Sequence, residues 1–301
     1  MKIIYIETPF VKSYSYYSDI YNSLKNNNKL SKIYNYNKRS KIFNLKDIIE
    51  EATFTPDIFI FGFGFFNIHK PPMPKIIKNV DIDIAMILNK EYQYLDEKLQ
   101  YIKEIKPKFT LTVQHNYKKY QEITNIPFYQ LPFAVNPTIF KRYNIPYKYD
   151  IAFTGIIRKD QTNDWRTKIS KNIHLLKKYS VLFSGRCFKT LETYSKALCT
   201  SKIWISTTGP ADIVGTRYYE VMATGTTLLL CNRFDEAYEG LFIENKHYVA
   251  FNSIKEFVKK IDYYLKNEEE RVKIIKEAQT HVLKNHTWKH RGNKIIELIE
   301  D

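Results

Sequence analysis

Two acids, Asp212 and Glu220, stand eight positions apart in the segment Ile203–Cys231, IWISTTGPADIVGTRYYEVMATGTTLLLC. The first falls in a loop with Thr207, Thr208, Gly209, Pro210 and Gly215. The second falls in the opening turns of a helix expected from about Thr216. The first turn of a helix has unsatisfied backbone N–H groups and the positive end of the helix dipole, which favour a phosphate. Arg217 adds a cation at the same place. A carboxylate one turn further in can accept hydrogen bonds from two vicinal hydroxyls, the pattern that a ribose presents. Gly215, Thr216, Arg217 and Glu220 therefore ask for a phosphorylated sugar or a nucleotide.

These residues need a scaffold of strands and helices. Lys2–Ile6, Ser31–Tyr36, Asp57–Phe61, Ile82–Leu88, Phe109–Val113 and Phe128–Leu131 read as strands. Helices are expected at Tyr16–Asn26, Leu45–Ala52 and Glu91–Ile105. Such alternation implies an α/β fold with a parallel sheet and right-handed crossovers. Glu7, Asn89, Lys90, Glu91, Gln114 and His115 follow strands and so would line one rim, with Gly62 and Gly64 closing the strand before them. His115 and Glu91 are the candidate proton acceptors there. Asp81 and Asp83 spell an acid-x-acid pattern that can hold a divalent metal, but they precede their strand and fall at the opposite rim.

Leu131–Tyr149 carries three prolines and no clear periodicity, as a linker does. The alternation then restarts. Strands are expected at Ile151–Thr154, Val181–Phe183, Ile203–Ser206 and Thr227–Cys231, with helices at Thr162–Tyr179 and Leu191–Cys199. Three amphipathic helices, Ser253–Leu265, Glu268–Leu283 and Thr287–Ile299, finish the chain. The expectation is two Rossmann-like halves facing across a cleft, with the last helix crossing back to the first half.

The 47 basic against 32 acidic residues give a net charge of +15, which suggests an acidic partner, although the lysines are scattered rather than gathered into a patch. Three cysteines, Cys187, Cys199 and Cys231, lack paired spacing, so neither a disulfide framework nor a zinc site is indicated. The apolar start is stopped by Glu7, too short for a signal peptide or a membrane span, and a cytoplasmic location is expected.

FTGIIR (Phe153–Arg158), the FSG of Phe183–Gly185, SKIWIS (Ser201–Ser206), TRYYEVMATGTTLLL (Thr216–Leu230) and HTWKHR (His286–Arg291) resemble the GT-B-fold glycosyltransferases. Within the glycosyl transferases group 1 superfamily they are most similar to the group related to the spore-maturation protein CgeB. The resemblance covers the C-terminal half well and the N-terminal half in layout. It implies an N-terminal acceptor domain over residues 1–140, a C-terminal nucleotide-sugar donor domain over 141–285, and a helix at 286–301 packing back. It further implies a nucleotide-diphosphate-sugar co-substrate with no metal or other cofactor, and a glycan, lipid or protein acceptor. Peripheral membrane contact is compatible with it; stable nucleic-acid binding is not expected.

Members of this family that retain anomeric configuration carry two glutamates eight positions apart, the second on the ribose and the first on the donor sugar. Glu220 matches the second; Asp212, one methylene shorter, stands at the first. Gly155 matches the glycine under the donor phosphates, and Arg158 and Arg217 are the cations assigned to the diphosphate. Two other readings stand beside transfer: an inactive nucleotide-sugar-binding protein, and a basic nucleic-acid-binding protein. The second lacks any helix-turn-helix, RNA-recognition or zinc-finger signature.

Overall fold

The computed structural model describes the chain except residues 8–15, 156, 158–163, 185–187 and 210–211. It divides into two compact units, Met1–Pro132 with Trp288–Asp301, and Phe133–Thr287. The first unit runs β1 (Lys2–Ile6), α1 (Tyr16–Lys25), β2 (Lys32–Tyr36), β3 (Ile42–Asn44), α2 (Leu45–Ala52), β4 (Ile58–Phe61) and α3 (Phe63–Ile68). It continues through β5 (Lys75–Ile77), β6 (Asp83–Leu88), α4 (Leu95–Ile105), β7 (Phe109–Thr112), α5 (Tyr117–Thr124) and β8 (Phe128–Gln130).

Six of these strands form one parallel sheet in the order β2-β1-β4-β6-β7-β8. IFIF of β4 is buried throughout, and KIIYI and DIAMIL are buried after their first residue, as strands covered on both faces must be. The chain moves from β1 outward to β2 and then to the other side of β1 at β4. The C-terminal ends of β1 and β4, Glu7 and Gly62–Gly64, are therefore the topological switch point of this sheet. Asp83 opens β6 and Asp81 precedes it, both at the opposite end of that strand.

The second unit repeats the plan: β9 (Tyr149–Thr154), α6 (Trp165–Lys171), β10 (Val181–Ser184), α7 (Leu191–Leu198), β11 (Ser201–Ser206), α8 (Thr216–Thr224), β12 (Leu228–Asn232), α9 (Asp235–Tyr238), β13 (Val249–Phe251), α10 (Ile254–Lys266) and α11 (Glu268–Asn285). Its five strands are parallel in the order β10-β9-β11-β12-β13, so its switch point lies where β9 and β11 end. The chain then returns to the first unit as α12 (Trp288–Glu300), which packs on α1.

Two helices differ from the sequence expectation for identifiable reasons. The helix expected from Glu91 begins only at Leu95, because Lys90 and Tyr94 adopt left-handed backbone with φ of 54° and 55°. The long helix expected over Thr162–Tyr179 is the short α6 followed by a 3₁₀ turn, Ile173–Leu176. Between the two, the Asn172 side-chain amide donates to Lys168 O at 2.8 Å, a local bond that competes with helix continuation.

Candidate functional site

The second unit's switch point gathers two arginines. Arg217, in the first turn of α8, donates from Nη1 to the carbonyl of Thr154, the last residue of β9, and from Nε to the Tyr194 hydroxyl at 2.9 Å. Tyr194, on α7, turns its own proton toward Glu220, so one hydroxyl links the cation to the acid. Burial raises the Tyr194 pKa, which keeps the phenol neutral. Glu220 is 8% exposed on the buried side of α8.

Arg166, in the first turn of α6, reaches the same place and donates from Nε to Thr207 Oγ1 at 3.1 Å. A Cβ placed on Gly155 would stand 3.4 Å from Arg217 Nη1 and 3.9 Å from Arg166 Nη1. The two guanidiniums thus flank Gly155 at ordinary contact distance, and the missing side chain leaves room between them.

The loop after β11 is held from below. Thr208 N–H donates to Asn232 Oδ1 at 3.0 Å, and Asn232 Nδ2 donates back to Thr208 Oγ1 at 3.2 Å. Gly209 lies at φ 65° with Arg166 Nη2 3.3 Å from the site of a Cβ. Asp212 is exposed, in left-handed backbone at φ 49°, with Thr208 Oγ1 donating to its carboxylate at 3.5 Å. Gly215 caps α8 without a side-chain hydrogen bond, and a Cβ on it would meet nothing within 4 Å. Thr216, half-buried, is the first helical residue. An uncapped helix start beside two guanidiniums is a place for an anion. Arg158 lies outside the described residues.

In the first unit, the rim residues separate by burial. Glu7 is fully buried and accepts from Gly64 N–H at 2.7 Å and from the Tyr5 hydroxyl at 3.3 Å, which makes it a brace for the start of α3. Glu91 is 5% exposed, with its carboxylate on the Thr112 hydroxyl. Burial pushes its pKa up to about 7, against the pull of Thr112 and of the Lys98 ammonium. His115 follows β7 and is half-buried.

The Glu91 shift has a stability consequence with a definite sign. A carboxyl whose folded pKa lies above its unfolded value contributes stability at low pH and loses it as pH rises through about 7. Wild-type protein should lose roughly 2–3 kcal/mol between pH 5 and pH 8 relative to Glu91→Gln, read by urea unfolding of both at the two pH values. Equal pH dependence would show that the acid is not held in its protonated range.

Arg166, Tyr194 and Lys98 are absent from the sequence-derived set. Arg166 and Tyr194 sit in no motif and reach the site by tertiary contact alone. Lys98 did leave a signal, a lysine on the same stripe as Leu95, Leu99 and Ile102. Cys199 and Cys231 are buried and unbridged; Cys187 lies outside the described residues. Among the described residues no cluster of His, Cys, Asp or Glu is arranged to hold a metal, and no helix is long and apolar enough to cross a membrane.

Residues 161–297 match the family described as Glycosyl transferase-like. No curated protein sequence matches the chain. Among solved structures, Anabaena Alr3699/HepE in complex with UDP-glucose aligns over 100% of this chain and 99% of its own, with a TM-score of 0.61 and 8% identity. A glycosyltransferase from Rickettsia africae aligns over 99% of this chain and 97% of its own, with a TM-score of 0.61 and 13% identity. Sucrose-phosphate synthase from Thermosynechococcus elongatus aligns over 85% of this chain and 75% of its own, with a TM-score of 0.57 and 10% identity. The whole-chain alignments establish the GT-B fold, and the family match includes both arginines and Glu220. The chain therefore has the GT-B fold and carries, over residues 161–297, a glycosyl transferase-like domain.

Proposed function

We propose that this protein moves a glycosyl group from a nucleoside-diphosphate sugar to an acceptor hydroxyl, without a metal, with retention of configuration, and in the cytoplasm. The observation that carries the proposal is the meeting of Arg166, Arg217 and the uncapped start of α8 around Gly155. Breaking the bond between the sugar's anomeric carbon and the β-phosphate oxygen leaves negative charge on the diphosphate. Guanidiniums and helix amides already aimed there neutralise it without reorganising, the role that a cation plays in other sites.

Glu220 is assigned to the ribose hydroxyls and Asp212 to the donor sugar. In the retaining step the acceptor oxygen bonds to the anomeric carbon on the face the diphosphate leaves, and the acceptor proton passes to the departing phosphate oxygen. Glu91, as a carboxylate, and His115 are assigned to orienting the acceptor hydroxyl. The CgeB-related grouping and a glycan, lipid or protein acceptor belong to the same proposal.

UDP-sugars are the first donors to try, because the HepE structures hold UDP-glucose and UDP. In a thermal-shift panel of UDP-, GDP- and ADP-linked sugars at least one should raise the melting temperature. Glu220→Ala should weaken that binding by about 1–3 kcal/mol through lost hydroxyl contacts. A folded protein that responds to none of the panel would overturn the proposal, and unchanged affinity in Glu220→Ala would remove the ribose role.

A further inference from the structure

We propose that Lys98 is a positioning residue of the first unit: its buried ammonium holds the Asn89–Glu91 turn, sets the charge of Glu91, and through Thr112 fixes the turn that leads to His115. This rests on the assignment of Glu91 and His115 to the acceptor hydroxyl.

The anomaly is one of place. In α4, LDEKLQYIKEI, Lys98 shares the inward stripe with Leu99 and Ile102 and is 1% exposed. A lysine there must be compensated, since burying an ammonium without partners is costly. Its Nζ donates to Asn89 O and to Lys90 O, each at 2.9 Å. These carbonyls belong to the turn leaving β6, where Lys90 is held at φ 54° and Tyr94 at φ 55°. Left-handed backbone at two non-glycine residues persists only where neighbours enforce it, and the ammonium is a neighbour that does so.

Glu91 lies between those two residues, buried, with Thr112 Oγ1 donating to its carboxylate. The same Thr112 oxygen accepts from Gln114 N–H at 3.2 Å. A polar chain therefore runs from α4 through the β6 turn and Glu91 to Thr112 and the backbone next to His115. An ionised Glu91 keeps Thr112 turned as donor to it and so leaves the threonine oxygen available to Gln114 N–H.

Titratable groups from three places act on Glu91 or on its partner Lys98. Lys98 comes from α4, where Glu97 acts in turn on Lys98; Tyr120 comes from α5; Lys90 acts from the same turn on Lys98; Thr112 on β7 is uncharged. Lys98 lowers the Glu91 pKa against burial, and Glu91 raises the Lys98 pKa against burial, leaving values of about 7 and about 8. Each thus draws the other toward its charged form, against the larger effect of burial.

The test follows Glu91 directly by carboxyl ¹³C NMR of glutamate-labelled protein, with its resonance identified by its loss in Glu91→Gln. Lys98→Gln keeps donors for the two carbonyls and removes the charge. It should move the Glu91 midpoint up by about one pH unit or more. Lys98→Arg should restore it to within about half a unit. A midpoint unchanged in Lys98→Gln overturns the proposal. If that variant does not fold, the Lys98 Cε resonance in Glu91→Gln provides the second reading: it should titrate at lower pH than in wild type, and an unmoved value overturns the coupling.

Turnover of the UDP-sugar that binds should fall on the acid side with the Glu91 midpoint and shift with it in Lys98→Gln. A moved midpoint with an unmoved acid limb overturns the role given to Lys98 in turnover. Failure of wild type to bind any nucleoside-diphosphate sugar overturns the proposed function instead, while the NMR result still decides the coupling.

Discussion

Arg217→Ala is expected to lower the affinity for the donor's nucleoside diphosphate by about a hundredfold, close to 2.7 kcal/mol, while the protein stays folded. A charge-assisted bond from a guanidinium to a phosphate contributes about twice a neutral one. Arg217 starts from a fixed position, because Thr154 O and the Tyr194 hydroxyl already hold its fork. Little side-chain entropy remains to be lost on binding. The same two contacts are lost in the variant, so unfolding must be measured beside binding. Arg217→Lys keeps the charge and loses the fork, and should recover only part of the affinity.

Tyr194→Phe separates orientation from charge. It removes the hydroxyl that accepts from Arg217 and faces Glu220, and it leaves both charges in place. Its effect on affinity should be smaller, on the order of 1 kcal/mol. Isothermal titration with UDP, or with whichever diphosphate the panel selects, reads all three variants. An Arg217→Ala protein that binds as wild type does would remove the diphosphate from this end of α8.

The strands of both sheets were legible because buried parallel strands are written as unbroken apolar runs, IFIF and SKIWIS among them. The start of α8 was legible for a related reason: Gly215 followed by TRYYEV marks a change from loop to helical periodicity. Short elements were not. β3 and β5, three residues each, pair only with one another, and their stability comes from what they pack on. α3, FGFFNI, is too short for a helical period to show; β4 does end at Gly62, as expected, and the Tyr5 hydroxyl and Glu7 carboxylate pack there too closely for any side chain.

The site divides in the same way. Arg217 and Glu220 share a helix start, so local spacing revealed them. Arg166 and Tyr194 lie 54 and 26 positions before Glu220 on other helices, and only the fold brings them to the start of α8. No periodicity encodes a meeting of that kind. Glu91 shows the converse: the sequence placed it after a strand, but only the burial of its carboxylate and the ammonium on α4 show why it titrates near neutrality.

Gly292→Leu is expected to destabilise the first unit by on the order of 3 kcal/mol, at the upper end of what overpacking costs. Gly292 lies on α12 where that helix meets α1, and a Cβ there would stand 2.1 Å from Ser23 Oγ, 3.0 Å from Ser23 Cβ and 3.2 Å from the Ser23 backbone carbonyl carbon. Ser23 Oγ is not free to turn away, because it donates to Trp288 O at 2.7 Å. Alanine at this position therefore already sacrifices that hydrogen bond, at about 1 kcal/mol. Leucine meets backbone as well as side chain, so no rotamer of Ser23 relieves it and the two helices must separate. Separation also exposes Ile295 and Ile296, which α12 buries, and strains the Arg291 Nε bond to Pro132 O at 2.7 Å. Urea unfolding of Gly292→Ala, Gly292→Leu and the double variant Ser23→Gly with Gly292→Ala tests the mechanism. Measured against Ser23→Gly alone, adding Gly292→Ala should cost little, because the hydrogen bond and the obstructing side chain are already gone, and a Gly292→Leu protein as stable as wild type would show that the α1–α12 contact contributes nothing to the fold.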